Sequence, residues 1–227
     1  MRRFHLVAVL GAILFTPALA QENPPRDPVF ERWVRDTFFG DYRPAAGPQR
    51  WDIPASANPN HGDVPVSLRT ARFGAALDLG EALPQYEIDE PFMLVVGFWE
   101  PAGEGKRFVK IVSSVVSPEQ WRKLWGPVTY ADLQRLDALI KDTGPTVEEL
   151  RRLVIRMRNS PPFNASIIQL NPKVDERQRH LLCSIRFQDL FAILAPGQST
   201  AASDRPTLFG TEYTDAPTVK SAPVKQN

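Results

Sequence analysis

The 227-residue sequence lacks several features that usually reveal a protein's chemistry. It has a single cysteine, Cys183, which excludes an internal disulfide. It contains no Gly-rich phosphate loop, no Gly-x-Ser-x-Gly, no His-Glu-x-x-His and no paired cysteines. The commonest nucleotide-binding, serine-hydrolase and zinc signatures are therefore missing. Cys183 itself lies in an apolar run, residues 181–185, where a buried and unreactive thiol is expected.

An excess of charge of either sign is also missing. The chain has 27 basic and 26 acidic residues, and loss of Arg2 and Arg3 with a leader would leave acidic residues one ahead. No global field would then attract nucleic acid, and any DNA contact would need a local patch. The 43% hydrophobic content is enough for one sizeable core and one domain.

The longest apolar stretch of the first twenty residues is short. It runs from Leu6 to Phe15, follows two arginines and precedes Ala18-Leu19-Ala20, which is the three-part pattern of a secretory signal peptide. A membrane span needs about 20 apolar residues. We therefore predict a signal peptide at 1–20 and a periplasmic or secreted mature chain, with an uncleaved anchor as the alternative.

An acidic and a basic residue face each other in a predicted hairpin. Residues 51–54 and 64–70 form two strand-like runs joined by the turn-rich segment 55–63. Because strand side chains alternate between faces, Ser67 and Arg69 share one face, and the hairpin brings Asp52 close to them. The simplest interpretation is a surface salt bridge across two strands.

An acid on one strand followed by this short element on the next resembles the PD-(D/E)XK core of restriction endonucleases. The resemblance covers Phe30 to Val116, with a looser similarity in Asn171 to Phe187. It implies the following roles for four residues: Asp52 as the metal-binding acid, Ser67 as the variable second position, Arg69 in place of the lysine, and Glu31 as the acid on the preceding helix. It also implies that Asp52 and Glu31 hold Mg²⁺ and that a metal-bound water attacks a DNA phosphodiester.

Two departures from that family leave other functions open. Ser67 is a poorer metal ligand than a carboxylate, and an arginine at position 69 can orient a phosphate but is no base. The alternative is therefore a non-catalytic periplasmic binding or interaction protein on a degenerate nuclease-like scaffold. A third hypothesis is an exported domain unrelated to nucleases, with a different strand order around Phe92 to Val116.

Two further groups of residues are candidates for the same function. His61 and Asp63, in the 58–63 turn, are possible auxiliary groups that supply a base or a metal ligand, although a loop histidine is also often simply exposed. Basic residues near the end of the chain are candidate contacts to a DNA backbone. These residues are Arg151, Arg152, Lys173, Arg177 and Arg179. The alternative for the helical ones is a solvated basic face balanced by acidic neighbours.

Local patterns predict a mixed α/β domain over 21–195 with a central mixed β-sheet flanked by helices. The resemblance to restriction endonucleases implies that this domain has a restriction-endonuclease-like fold. A helix over 28–39, capped by Asp27, would bury Phe30, Val34, Thr37 and Phe38. The remaining predicted elements are strands at 76–79, 92–99, 107–116, 165–170 and 180–187 and helices at 118–125, 129–141 and 146–158. From Pro196 to the end, residues 196–227, apolar residues thin out, which predicts a disordered tail.

Overall fold

A computed structural model describes residues 27–40, 42–44 and 49–214 of the chain. The predicted signal peptide at 1–20 lies outside the described residues. Among those described, no helix is both long and apolar enough to cross a lipid bilayer.

The described chain alternates between strands and helices. The helices are α1 (Pro28–Phe38), α2 (Ala82–Tyr86), α3 (Pro118–Trp125), α4 (Tyr130–Lys141), α5 (Val147–Arg158) and α6 (Phe187–Asp189), which continues as a π-helical turn, Leu190–Leu194. The strands are β1 (Val66–Arg72), β2 (Leu77–Glu81), β3 (Phe92–Ala102), β4 (Gly105–Val116), β5 (Gln169–Val174), β6 (Arg179–Ile185), β7 (Thr207–Leu208) and β8 (Thr211–Glu212). Short 3₁₀ turns occupy Ala55–Ala57 and Phe163–Ala165.

The strands form two small sheets and a hairpin. The first sheet has the order β1-β3-β4, with β1 parallel and β4 antiparallel to the central β3. The second sheet is antiparallel with the order β2-β6-β5, and β7 pairs with β8. The predicted mixed α/β class is confirmed. The predicted single central sheet is divided in two, because β2 turns away from β1 and pairs with β6 near the end of the chain.

Local capping explains where the helices begin. Asp27 accepts hydrogen bonds from the backbone N–H groups of Val29 and Phe30 at the start of α1. Complete capping boxes open α3, α4 and α5; they join Ser117 to Gln120, Thr129 to Asp132 and Thr146 to Glu149. The predicted helices at 118–125, 129–141 and 146–158 are therefore confirmed.

The buried stripe of α1 differs in part from the prediction. Phe30 and Val34 are fully buried, as expected. Thr37 is exposed and Phe38 is half-buried, while Phe39, just beyond the helix, is buried instead. The helix ends at Phe38, so Phe39 no longer follows the helical spacing and its side chain enters the cluster that contains Phe30 and Val34.

The first sheet is buried on both faces, which explains the unbroken apolar run of β3. Alternate residues of β3 enter two separate hydrophobic clusters. One cluster contains Met93, Val95 and Trp99 together with residues of α1. The other contains Phe92, Leu94, Val96 and Phe98 together with residues of the second sheet and the later helices. The prediction of a central strand covered on both faces is confirmed.

Strand β5 starts four residues later than the predicted strand at 165–170. The backbone N–H groups of Ile167 and Ile168 donate to the carbonyl oxygen of Leu124, at 3.0 and 3.1 Å. These two apolar residues therefore hold the chain against the end of α3, and sheet pairing begins only at Gln169.

Residues 196–214, which we call the strap, pack against the first sheet. The N–H of Ser203 donates to the carbonyl oxygen of Val109 on β4 at 2.7 Å. Leu208 and Tyr213 are buried in the cluster that contains α1. The predicted disordered tail, 196–227, thus includes an ordered segment whose few apolar side chains are sufficient to anchor it. Residues 215–227 lie outside the described part.

Candidate functional site

The candidate site lies on the outer edge of β1. On the inner side, the N–H of Met93 donates to the carbonyl of Pro65, so the backbone groups of odd-numbered residues face β3. The groups of Val66 and Leu68 therefore point outward. Val66 is paired by a single antiparallel bridge with Ile53, which is all that forms of the predicted first strand.

Two charged side chains complete the edge at Leu68. Asp52 Oδ2 accepts a hydrogen bond from the Leu68 N–H at 2.7 Å and one from Arg69 Nη1 at 3.2 Å. Arg69 Nη1 also donates to the Leu68 carbonyl oxygen at 2.8 Å. The ion pair therefore satisfies both outward backbone groups of Leu68 and takes the place of a neighbouring strand.

Burial shows that this is an interior ion pair. The Arg69 side chain is 10% exposed and that of Asp52 is 7% exposed. Charges removed from water to this extent are costly unless their hydrogen bonds are satisfied. The contact between Asp52 and Arg69 follows the arrangement expected from the sequence, with the difference that the pair is buried and bound to backbone.

The other two residues of the hypothetical nuclease site have separate positions. Ser67 is buried and borders the same cleft as Arg69. Glu31 lies on α1, where its carboxylate is 3.9 Å from Arg35 one turn later. The structure thus brings Ser67, Arg69 and Asp52 to one edge, and it places Glu31 on the helix that covers the sheet.

The residues around Asp52 fit a magnesium ion poorly. Across the described ranges, no group of three or more His, Cys, Asp or Glu side chains is placed to hold a metal ion. Asp52 Oδ2 is already bound by an N–H and a guanidinium, and the adjacent positive charge of Arg69 opposes a second cation. We therefore derive no step through a metal at this position.

A cleft of about 300 Å³ opens beside the ion pair. Its first wall is the segment that leads to the Ile53 bridge, including Arg50 and Trp51. The Trp51 ring stacks on Phe92 with centroids 5.1 Å apart, and its Nε1 donates to Glu90 Oε1 at 2.9 Å. These contacts fix the indole as a rigid wall.

The opposite wall is formed by β2 and α2. Gly80 lies at a β-bulge with φ +92°, and its N–H donates to Asp78 Oδ1 at 2.8 Å. Apart from Gly80 and its two neighbours in the chain, no residue has an atom within 4 Å of the position that a Cβ would take there, so the cleft is open in front of Gly80. Glu81 and Gln85 complete this wall, and Glu81 Oε1 is 2.7 Å from His180 Nδ1.

Cys183 pairs with Gly80 behind this wall and is fully buried. Burial raises the pKa of its thiol far above the ordinary value, and the negative charge of Asp78 raises it further. The thiol is therefore protonated and unreactive, as predicted from its apolar run.

The predicted auxiliary residues lie in a turn that contacts the strap. The His61 ring stacks on Phe209 with centroids 4.0 Å apart, and it meets the rings of Phe38 and Phe39 edge-on. Asp63 is exposed, with φ +52°. The ring contacts of His61 are thus with aromatic side chains of α1 and the strap.

Two of the five basic residues predicted to contact DNA bind the protein's own backbone. Arg151 Nε donates to the Val174 carbonyl oxygen at 2.7 Å. Arg179 Nη1 donates to the carbonyls of Ile140, at 3.3 Å, and Asp142 at the end of α4. These side chains fasten α5 to β5 and β6 to α4.

The remaining predicted DNA contacts are more peripheral. Arg152 lies 3.6 Å from Glu148 on the exposed face of α5, which is the balanced helix surface given as the alternative. Lys173 pairs with His180 in the β5-β6 ladder and is half-buried. Arg177 is exposed in the turn between these strands, where its N–H donates to Asp175.

Comparison with known proteins gives no match to a family model, to a curated protein or to a solved structure. The resemblance to restriction endonucleases therefore stays a prediction.

The sequence does not predict the cleft, because the residues that line it come from three separate segments of the chain. It is built from segments 49–51, 67–69 and 79–88, which are brought together by the pairing of β2 with the distant β6. The single local signal was Gly80, since an isolated glycine within a strand often marks a bulge or a close approach of another backbone.

Proposed function

We propose that this chain is an exported, non-catalytic binding protein whose ligand occupies the cleft between Trp51 and Gly80. The observation that carries the proposal is the role of Asp52 and Arg69 as caps of the β1 edge. Asp52 and Arg69, two of the four residues that the nuclease hypothesis assigns to the site, are bound to each other and to the Leu68 backbone.

The cleft has the character of a small-molecule site. Such sites combine an apolar or aromatic surface with a few converging polar groups. Here Trp51 and Ile88 supply the apolar surface, and Ser67, Glu81 and Gln85 supply hydroxyl, carboxylate and amide groups. The predicted signal peptide would direct this function outside the cytoplasm.

The competing function is metal-dependent cleavage of DNA, which the proximity of Asp52 and Arg69 favours. The test is incubation of the purified mature chain with supercoiled plasmid and single-stranded DNA, in Mg²⁺ or Mn²⁺ and in chelator. We expect no cleavage. Nicking that requires a metal and disappears in Asp52→Asn, with folding verified by circular dichroism, would overturn the proposal.

The binding function is tested by thermal unfolding against a panel of small amino acids, peptides, sugars, carboxylates and phosphates. We expect one chemical class to raise the unfolding temperature of the wild-type chain. Gln85→Trp fills the cleft and should abolish the shift. Gln134→Trp, on the exposed face of α4, is the matched control and should retain it. A panel without effect, or a shift that survives Gln85→Trp, would contradict the proposal.

A further inference from the structure

The chemistry of the cleft identifies a class of ligand. We infer that it holds a short peptide with free termini, bound in an extended conformation along β2; this inference rests on the proposed function. The argument uses the outer edge of β2, the open space at Gly80, and the charges on the two walls.

Three of the four outer edges of the two sheets are covered by other parts of the chain. The β1 edge is covered by Ile53 and the Asp52–Arg69 pair. The β4 edge receives hydrogen bonds from the strap, where Gln198 Nε2 donates to the Ser113 carbonyl at 2.8 Å and Ser203 N–H to Val109.

The β5 edge is covered from α5. Arg151 donates to the Val174 carbonyl, and Arg158 Nη1 donates to the Leu170 carbonyl at 3.5 Å. The fourth edge strand, β2, pairs with β6 on one side, and its last three residues line the cleft. The Gly80 N–H already donates to Asp78 Oδ1, so a ligand would bond to the neighbouring backbone groups of this strand. An extended peptide can add to such an edge through main-chain hydrogen bonds.

Gly80 makes this edge approachable. It lies in the middle of the cleft wall, and the space in front of it is open to at least 4 Å from the position that a Cβ would occupy. Glycine in a strand is common where a second backbone comes close, because no side chain keeps it away. The bulge at Asp78–Gly80 also interrupts the regular ladder there.

The charges of the cleft match both ends of a peptide. Arg50 supplies the positive charge that attracts a carboxylate to the wall formed by β1 and residues 49–51, since Arg69 is already paired with Asp52. Glu81 on the opposite wall attracts an ammonium group. Because the lining carries both signs, a zwitterion is favoured over a simple anion or cation. The volume of about 300 Å³ is at the lower end for ligand sites and suits a di- or tripeptide.

The experiment is isothermal titration calorimetry of the mature chain with alanylalanine, N-acetyl-alanylalanine and alanylalanine amide. We expect the unblocked dipeptide to bind and each blocked form to lose roughly tenfold or more in affinity, since a charge-assisted hydrogen bond is lost at that end. Glu81→Gln should remove the preference for the free amine. Glu176→Gln, in the exposed turn after β5, is the control and should leave it unchanged.

The outcomes separate the two proposals. If alanylalanine fails to bind while another class stabilises the wild-type chain but not Gln85→Trp, the peptide inference is overturned and the binding function stands. If no compound binds, both are overturned. Equal affinity for the free and blocked dipeptides would also overturn the inference, because recognition of the termini is its basis.

Discussion

Gly97 shows how one missing side chain fixes the position of α1. A Cβ at this position would lie 2.7 Å from Phe108 and 2.8 Å from Phe30. These two rings stack with centroids 4.9 Å apart, and both are buried. The absence of a side chain in β3 thus leaves room for the aromatic contact between the helix and the sheet.

Gly97→Ala should therefore destabilise the protein by about 1–3 kcal/mol, the usual range for overpacking in a tight core. The measurement is the free energy of unfolding in urea, followed by circular dichroism. Gly105→Ala is the matched control, because a Cβ there meets only a backbone oxygen at 3.7 Å. Equal stability of the two variants would show that the rings can separate at little cost.

A second residue-scale effect concerns the buried carboxylate at the start of α4. The Thr129 hydroxyl, followed by the Thr129 backbone N–H, lowers the pKa of Asp132 below the ordinary value of an aspartate, and Arg135 adds to the effect. A carboxyl whose pKa is depressed by folding stabilises the native state above its unfolded pKa. That contribution is lost as the pH falls through the lower, folded pKa.

We accordingly expect the stability difference between the wild-type chain and Asp132→Asn to be largest at neutral pH and to shrink below about pH 4, near the ordinary carboxyl pKa. Urea unfolding at a series of pH values measures this difference. Thr129→Ala removes the hydroxyl that lowers the pKa of Asp132 most. The stability of this variant should therefore depend less on pH than the stability of the wild-type chain. A difference that grows in acid would contradict the assignment.

At the scale of elements, some charged residues that look functional in the sequence bind the exposed backbone groups of edge strands. Asp52 and Arg69 bond to the backbone of β1, and Arg151 bonds to the backbone of β5. Unsatisfied edges invite pairing with other chains, so capping by charged groups is a structural requirement in its own right. A carboxylate–cation pair or a basic cluster in a sequence is therefore weak evidence for catalysis or DNA binding.

The sequence predicts well those features that depend on residues close together in the chain. The helices from Ser117 to Arg158 begin at capping boxes contained within four residues, and their boundaries follow from these. The approach of Asp52 to Arg69 is also predicted, because it depends only on the turn-rich segment 55–63 and on the alternation of side chains along a strand. The division into two sheets and the cleft depend on the pairing of Leu77 with Ile185, which are far apart in sequence and carry no local signal.

Arg151→Ala should weaken the attachment of α5 to β5. Its hydrogen bond to the Val174 carbonyl has a charged donor, and such bonds contribute about 1.5–3 kcal/mol when buried; partial exposure makes about 1 kcal/mol our expectation. The matched control is Arg152→Ala, whose exposed ion pair with Glu148 contributes about 0.3–0.5 kcal/mol.

Urea unfolding compares the two variants, and hydrogen exchange of the β5 amides locates the effect. A larger loss in Arg152→Ala, or unchanged exchange in β5, would show that Arg151 does not hold the edge.

At the scale of the whole molecule, the first sheet is a central layer with a hydrophobic cluster on each face. The larger cluster is closed by the second sheet and α3 to α6. The smaller one is closed by α1 and by two side chains of the strap, Leu208 and Tyr213. The strap therefore completes the layer that α1 began, and side chains from both ends of the described residues lie in one hydrophobic cluster.

Tyr213 provides the test of this arrangement. Its ring lies 4.9 Å from the rings of both Trp33 and Phe108, and the residue is 8% exposed. Tyr213→Ala should cost about 3 kcal/mol, in the range for removal of a buried aromatic ring. It should also speed hydrogen exchange in α1, because the helix loses the contact that covers it.

Phe209→Ala is the comparison within the same strap. Phe209 is 38% exposed and its ring stacks on His61, so replacing it removes less buried surface than Tyr213→Ala and should destabilise the protein by less, about 1–2 kcal/mol. Urea unfolding and amide exchange of both variants decide the question. If Tyr213→Ala unfolds like Phe209→Ala and α1 keeps its protection, the strap rests on the sheet without holding it, and the smaller cluster is closed by α1 alone. If the losses are as expected, residues 196–214 belong to the folded domain, and its boundary lies beyond Tyr213.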